Sequence, residues 1–281
     1  MNNDYKIKID IRHLSTISAI ILLVNGISRL VEIPSRGIRL TVLNIQWVVE
    51  INGNLLFMLF LALLVVVGSE SILRSHPILS GEAGRQVDYP TAIHWILPGI
   101  AAFGGSAAVN MFPPGPRWWL GLVLVTGLLI LIIVGEYLVI EKEGVRYDLA
   151  SVGLNILGLT LLAVLLNAIH ASAARLAFAL PVIGVCVTAV ALRLLDLLEP
   201  RNRIKQYFAM GIGLLVSELA LPLFYLPVSS VTFGLVLTLA THTAVGVTQI
   251  RARDPKTKSV LMEYFFIDAI AILVLILLLG R

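Results

Sequence analysis

A chain of 281 residues that is 58% hydrophobic and only 14% charged, with a mean hydropathy of +0.94, is not an ordinary soluble domain, in which roughly 25% of residues are charged. The formal net charge of +4 comes with no Lys/Arg patch interleaved with aromatics, which excludes nucleic acid as a partner. The one cysteine, Cys186, has neither a disulfide partner nor metal-ligand companions and is expected to be a small buried side chain.

Residues 1–13 are polar and basic, with Lys6, Lys8 and Arg12, and lead into an apolar run from Leu14 to Val31. The pattern is that of a signal peptide, but no A-x-A-like cleavage site follows, so an uncleaved first span is expected. Asn25, Gly26 and Ser28 within it suggest packing against neighbouring helices.

Residues 37–51 (GIRLTVLNIQWVVEI) alternate instead of recurring with a helical period. A turn at Leu43-Asn44 would set Val42 opposite Ile45, Leu40 opposite Trp47 and Ile38 opposite Val49. Arg39, Thr41, Gln46 and Glu50 then fall on the other face, which predicts a β-hairpin. Leu-Asn lacks the glycine that tight hairpin turns favour, and an interfacial amphipathic helix is the alternative.

The remaining spans are expected at 53–69, 91–112, 118–138, 149–169, 176–197, 207–227, 231–249 and 260–280. The fold class is therefore all-α: a polytopic transmembrane bundle of about nine helices, one integral domain over 1–281, with the hairpin after the first helix. Short connections such as Pro113-Pro114-Gly115-Pro116 make sequential spans antiparallel neighbours. With the N-terminus inside, fifteen Lys/Arg fall on the inner side and six on the outer, which predicts a bacterial cytoplasmic membrane protein with its C-terminus outside. The absence of N-x-[ST] sequons agrees with a bacterial source.

The third span carries GIAAFGGSAA (Gly99 to Ala108), with Ala101/Gly105 and Gly104/Ala108 in small-xxx-small spacing. Such faces let helices approach closely, within the chain or against other membrane subunits. Pro98, Pro181 and Pro222 each interrupt a span, by a kink or by freeing backbone toward an ion. A likeness between Ile96-Leu97-Pro98 and Ala179-Leu180-Pro181 hints at two three-helix halves.

Three successive C-terminal spans carry an ionisable residue well inside the span: Glu218, His242 and Asp268. A charge at the centre of a span costs about 2.5–3.5 kcal/mol on insertion scales, so each needs a partner, a proton or water. Counting about 1.5 Å per residue puts them roughly 14, 20 and 17 Å below one face, in one layer with the hydroxyls of Ser217, Thr238, Thr241 and Thr243. They are the polar-site candidates; neutral, hydrogen-bonded packing residues are the alternative.

Catalytic signatures are missing: there is no G-x-S-x-G, H-E-x-x-H or P-loop, so no catalytic residue, cofactor or metal ligand is assigned and an enzyme is not expected. His76 and His94 read as interface residues, and Glu136 with Glu141 and Glu143 as a solvated helix end.

Arg74-Ser75-His76-Pro77 and His94-Trp95-Ile96-Leu97-Pro98-Gly99, with the hairpin before them, resemble a group of bacterial multi-pass membrane proteins classed as a domain of unknown function. That resemblance covers most of the chain and implies no activity and no functional residue. The expected function is binding or movement of a small solute or proton through the polar layer. The alternative is a non-catalytic membrane subunit or assembly factor, and the lipid bilayer is the partner in both.

Overall fold

The computed structural model describes residues 11–31, 36–42, 45–51, 53–77, 79, 91–142, 146–172, 175–198 and 204–253. The chain divides into two compact units, Met1–Gly144 and Val145–Arg281.

The first unit contains α1 (Ile11–Leu30), β1 (Arg36–Val42), β2 (Ile45–Ile51), α2 (Gly53–Arg74), a 3-10 turn (Thr91–Trp95), α3 (Ile96–Asn110) and α4 (Pro116–Leu138). β1 and β2 pair antiparallel, with Val42 opposite Ile45, Leu40 opposite Trp47 and Ile38 opposite Val49; positions 43 and 44 lie outside the described residues. Helix α1 packs on α2 and α4, α3 packs on α2 and α4, and α2 meets α4.

The second unit repeats that scheme with α5 (Tyr147–Ala171), α6 (Leu176–Leu198), α7 (Lys205–Tyr225) and α8 (Ser230–Arg253). Here α5 packs on α6 and α8, α7 packs on α6 and α8, and α6 meets α8. Among the described residues, each unit thus shows four helices packed in the same neighbour scheme.

Seven of the described helices are long and apolar enough to cross a membrane, and α1 adds a shorter apolar stretch, Arg12–Ser28. The chain is therefore a helical membrane-spanning protein in contact with lipid. The expected ninth span, 260–280, lies outside the described residues. Leu61, Val65, Leu97, Leu129, Ile132 and Ile133 fill the core of the first unit, and Leu162, Ile183, Val187, Leu194, Val216 and Leu237 that of the second. Leu63, Val67, Leu124, Leu131, Val185 and Leu214 stay exposed, as an outer surface wetted by hydrocarbon permits.

Pro98 does not interrupt its span. It is the third residue of α3, within the first turn, where a missing N–H leaves no helical bond unmade. Helices α6 and α7 continue through Pro181 and Pro222. The small-residue face of α3 is used: a Cβ at Gly105 would lie 2.4 Å from the Val125 side chain of α4. Helices α6 and α7 also approach closely: a Cβ at Gly213 would run into Thr188 Oγ1 and lie 2.7 Å from the Gly184 carbonyl oxygen. Gly213→Ala should therefore cost about 1–3 kcal/mol by overpacking. Gly211→Ala, where a Cβ meets nothing within 4 Å, should stabilise slightly through helix propensity. Thermal unfolding in detergent separates the two; equal midpoints would rule out the tight α6–α7 contact.

Candidate functional site

A cluster of titratable side chains lies at one end of the first unit, where the last turns of α2, the 3-10 turn and the last turn of α4 meet. Glu136 sits in the last turn of α4, two residues before its end, and His94 lies in the 3-10 turn. His94 Nδ1 and Glu136 Oε2 are 2.7 Å apart, with side chains 1% and 0% exposed. Glu136 is therefore not a solvated helix end, nor is His94 an interface residue: the 3-10 turn closes over the carboxyl and supplies its partner. Which of the two atoms donates is set by the histidine tautomer.

Beside this pair, Glu70 near the end of α2 accepts hydrogen bonds from Trp95 Nε1 at 2.7 Å, Thr91 Oγ1 at 2.9 Å and Arg74 Nε one turn later. Three donors hold it, so it fixes the 3-10 turn and thereby the ring of His94. His76, in the turn after α2, is buried and lies against the buried ring of Tyr137 with centroids 4.6 Å apart. Burial pushes the His76 imidazole below its ordinary value, because the charged form loses its hydration.

A second buried cluster lies in the second unit. Asp196 of α6 is paired with Lys205 at the start of α7 and lies 3.6 Å from Arg193 Nη1, whose side chain is 1% exposed. Tyr147 Oη donates to the Leu197 carbonyl at 2.6 Å, tying the start of α5 to the same corner. Among the described residues no group of three or more His, Cys, Asp or Glu is placed to hold a metal ion.

Of the sequence-derived candidates, Glu218 is exposed on α7, opposite the face buried through Ala209, Ile212, Gly213, Val216 and Ala220. It has no hydrogen bond or ion pair among the described residues. Ser217, the next residue back, turns the other way, donating to the Gly213 carbonyl at 2.8 Å with the Leu180 carbonyl of α6 at 3.4 Å. His242 is half-buried on α8. Thr238, Thr241 and Thr243 bond the carbonyls of Gly234, Leu237 and Leu239. Helices α7 and α8 pack together, while Asp268 lies outside the described residues.

Sequence reasoning missed Glu70 and Asp196, whose local signals were the i,i+4 spacing to Arg74 and the i,i+3 spacing to Arg193. It also missed the joining of His94 to Glu136, which are 42 positions apart.

Fold and site together define a polytopic membrane protein with a buried imidazole–carboxyl pair at one end of a four-helix unit. The chain belongs to the family described as Protein of unknown function (DUF5656), whose model matches residues 33–278. No curated protein and no solved structure matches it.

The lowered His76 value has a consequence for stability. A buried imidazole with a depressed value binds fewer protons when folded than when unfolded, so stability rises with pH across the window between the two values. It should be complete above the ordinary histidine value of about 6.5 and fall as pH drops below it. His76→Phe, which keeps the ring contact with Tyr137, should flatten that slope. Unfolding midpoints in detergent between pH 5 and 8 measure it; an unchanged slope would remove His76 as its source.

Proposed function

We propose that residues 1–281 act as one integral membrane domain that binds or moves a small solute or proton, and that the His94–Glu136 pair takes up and returns that proton. The observation that carries this reading is the 2.7 Å contact between two side chains 1% and 0% exposed. An isolated charge there would be too costly, but in a pair the proton taken up from one side binds one group while the neighbouring group offsets part of the charge, and its release to the other side restores the starting state. Ionisable residues placed within membrane-spanning segments are by default functional. The charge asymmetry of the loops supports a bacterial cytoplasmic membrane with the N-terminus inside, which puts this pair near the cytoplasmic face. Proteoliposomes with an entrapped pH-sensitive dye should show proton flux after an imposed pH step. Glu136→Gln and His94→Gln should each slow it by roughly 100-fold, the scale of a lost proton-transfer group. Wild-type rates in both variants would overturn the assignment.

A second reading concerns Glu218, because its carboxyl leaves the packed face of α7 with no partner among the described residues. Pro222 lacks the N–H that would bond the Glu218 carbonyl, so a free carbonyl oxygen and a carboxyl occur at one point of the helix. Either the layer of Glu218, His242 and Asp268, with its neighbouring hydroxyls, completes a mid-membrane site, or Glu218 meets another subunit and the chain is a non-catalytic part of a larger complex. Single cysteines at positions 218, 242 and 268 in a Cys186→Ala background decide between them. Pairwise crosslinks within one chain are expected for the shared layer, whereas crosslinking of position 218 only to another chain would establish the subunit role.

A further inference from the structure

An apolar groove of about 420 Å³ runs between α1 and α4 of the first unit, within the range of roughly 300–1,000 Å³ typical of small-ligand sites. Leu22, Leu23, Gly26 and Ile27 form one wall, and Trp118 and Trp119 the other. No charged or hydrogen-bonding side chain besides the two indoles lines it. Its rims are open, with Leu23 62% and Trp119 60% exposed. Trp118 is buried, and the two indoles meet edge to face with centroids 4.9 Å apart, so this wall is stiff. In a chain that crosses a bilayer, such a groove is solvated by hydrocarbon.

The mouth of the groove is polarised. Arg117, between the lining residues Gly115 and Trp118, is exposed and has no ion pair among the described residues. It lies in the first turn of α4, where the helix dipole contributes about half a positive charge. Tryptophans mark the level at which lipid headgroups begin. An apolar slot lined by the start of α4, with an exposed arginine in that same first turn, complements an acyl chain that ends in an anion.

We propose that this groove binds an anionic phospholipid, with one acyl chain between α1 and α4 and the headgroup phosphate at Arg117. The site is independent of the His94–Glu136 pair. Gly26 provides the clean test, because a Cβ there meets nothing within 4 Å. Gly26→Leu therefore starts its side chain in open space on the groove wall, and it raises helix propensity.

Native mass spectrometry of the purified protein titrated with phosphatidylglycerol or phosphatidylcholine reads the binding. One saturable phosphatidylglycerol per chain is expected, bound more tightly than phosphatidylcholine. Gly26→Leu should weaken it by roughly tenfold or more, as misfit by a methylene or two does in apolar pockets. Arg117→Gln should weaken phosphatidylglycerol about fivefold, the worth of one basic residue near an anionic headgroup, and leave phosphatidylcholine unchanged. Equal or non-saturable binding of the two lipids by the wild type, or wild-type phosphatidylglycerol affinity in Gly26→Leu, would overturn the proposal.

Discussion

Hydrocarbon offers no hydrogen bonds, so every polar group in this chain that lies among apolar spans needs a partner from the protein itself. The hydroxyls follow the simplest solution: Thr126, Thr238, Thr241 and Thr248 each donate to the carbonyl four residues back, which hides the hydroxyl without a second helix. Asn25 does the same through its Nδ2, which donates to the Ile21 carbonyl at 2.9 Å, and its Oδ1 is left to accept from another helix. Ser106 of α3 donates to Asn25 of α1 at 2.9 Å, and Asn110 of α3 to Asn54 of α2 at 2.7 Å. Glu70, Glu136 and Asp196 carry the same demand at higher cost, and each is met by donors from another part of the chain. Helix neighbours in each unit are thus specified by small residues that permit approach and by polar residues that need it.

This demand explains which parts of the fold were legible in the sequence. Apolar length is a local property, so the spans from α2 to α8 could be located from hydropathy alone. Their ends were less legible. Helix α2 runs to Arg74 instead of stopping near residue 69, because Glu70 can remain helical once Trp95, Thr91 and Arg74 bond it, and two of those donors come from beyond the following loop. The reading of Glu136 failed for the same reason. Beside Glu141, Glu143 and Lys142 it resembles a solvated end, and only the 3-10 turn carrying His94 makes it a buried one. The alternation of residues 37–51 is a period-2 pattern, and the paired residues of β1 and β2 stand where that alternation puts them.

The site candidates show the limit of depth counting. Glu218 and His242 can be assigned a level in the membrane from sequence, but level says nothing about azimuth. On α7 the buried positions Ile212, Gly213, Val216 and Ala220 follow the helical repeat, and Glu218, about 200° round from Val216 at 3.6 residues per turn, falls on the opposite side. The small-residue pattern that brings α7 against α6 through Gly213 and Ser217 is thus what turns Glu218 outward. Sequence did carry that information, in the spacing of Gly213, Ser217 and Ala220 rather than in the carboxyl.

The two units share a neighbour scheme but place their buried charges differently. In the first, the Glu136 carboxyl of α4 meets an imidazole carried by the 3-10 turn. In the second, Asp196 of α6 is paired with Lys205 of α7 and lies 3.6 Å from Arg193 on its own helix. Each corner therefore uses a carboxyl to join elements that are separate in sequence. The Arg193–Asp196–Lys205 corner, with Tyr147 bonded to the Leu197 carbonyl, ties the starts of α5 and α7 to the end of α6, just as Glu70, Glu136 and His94 tie the ends of α2 and α4 to the 3-10 turn.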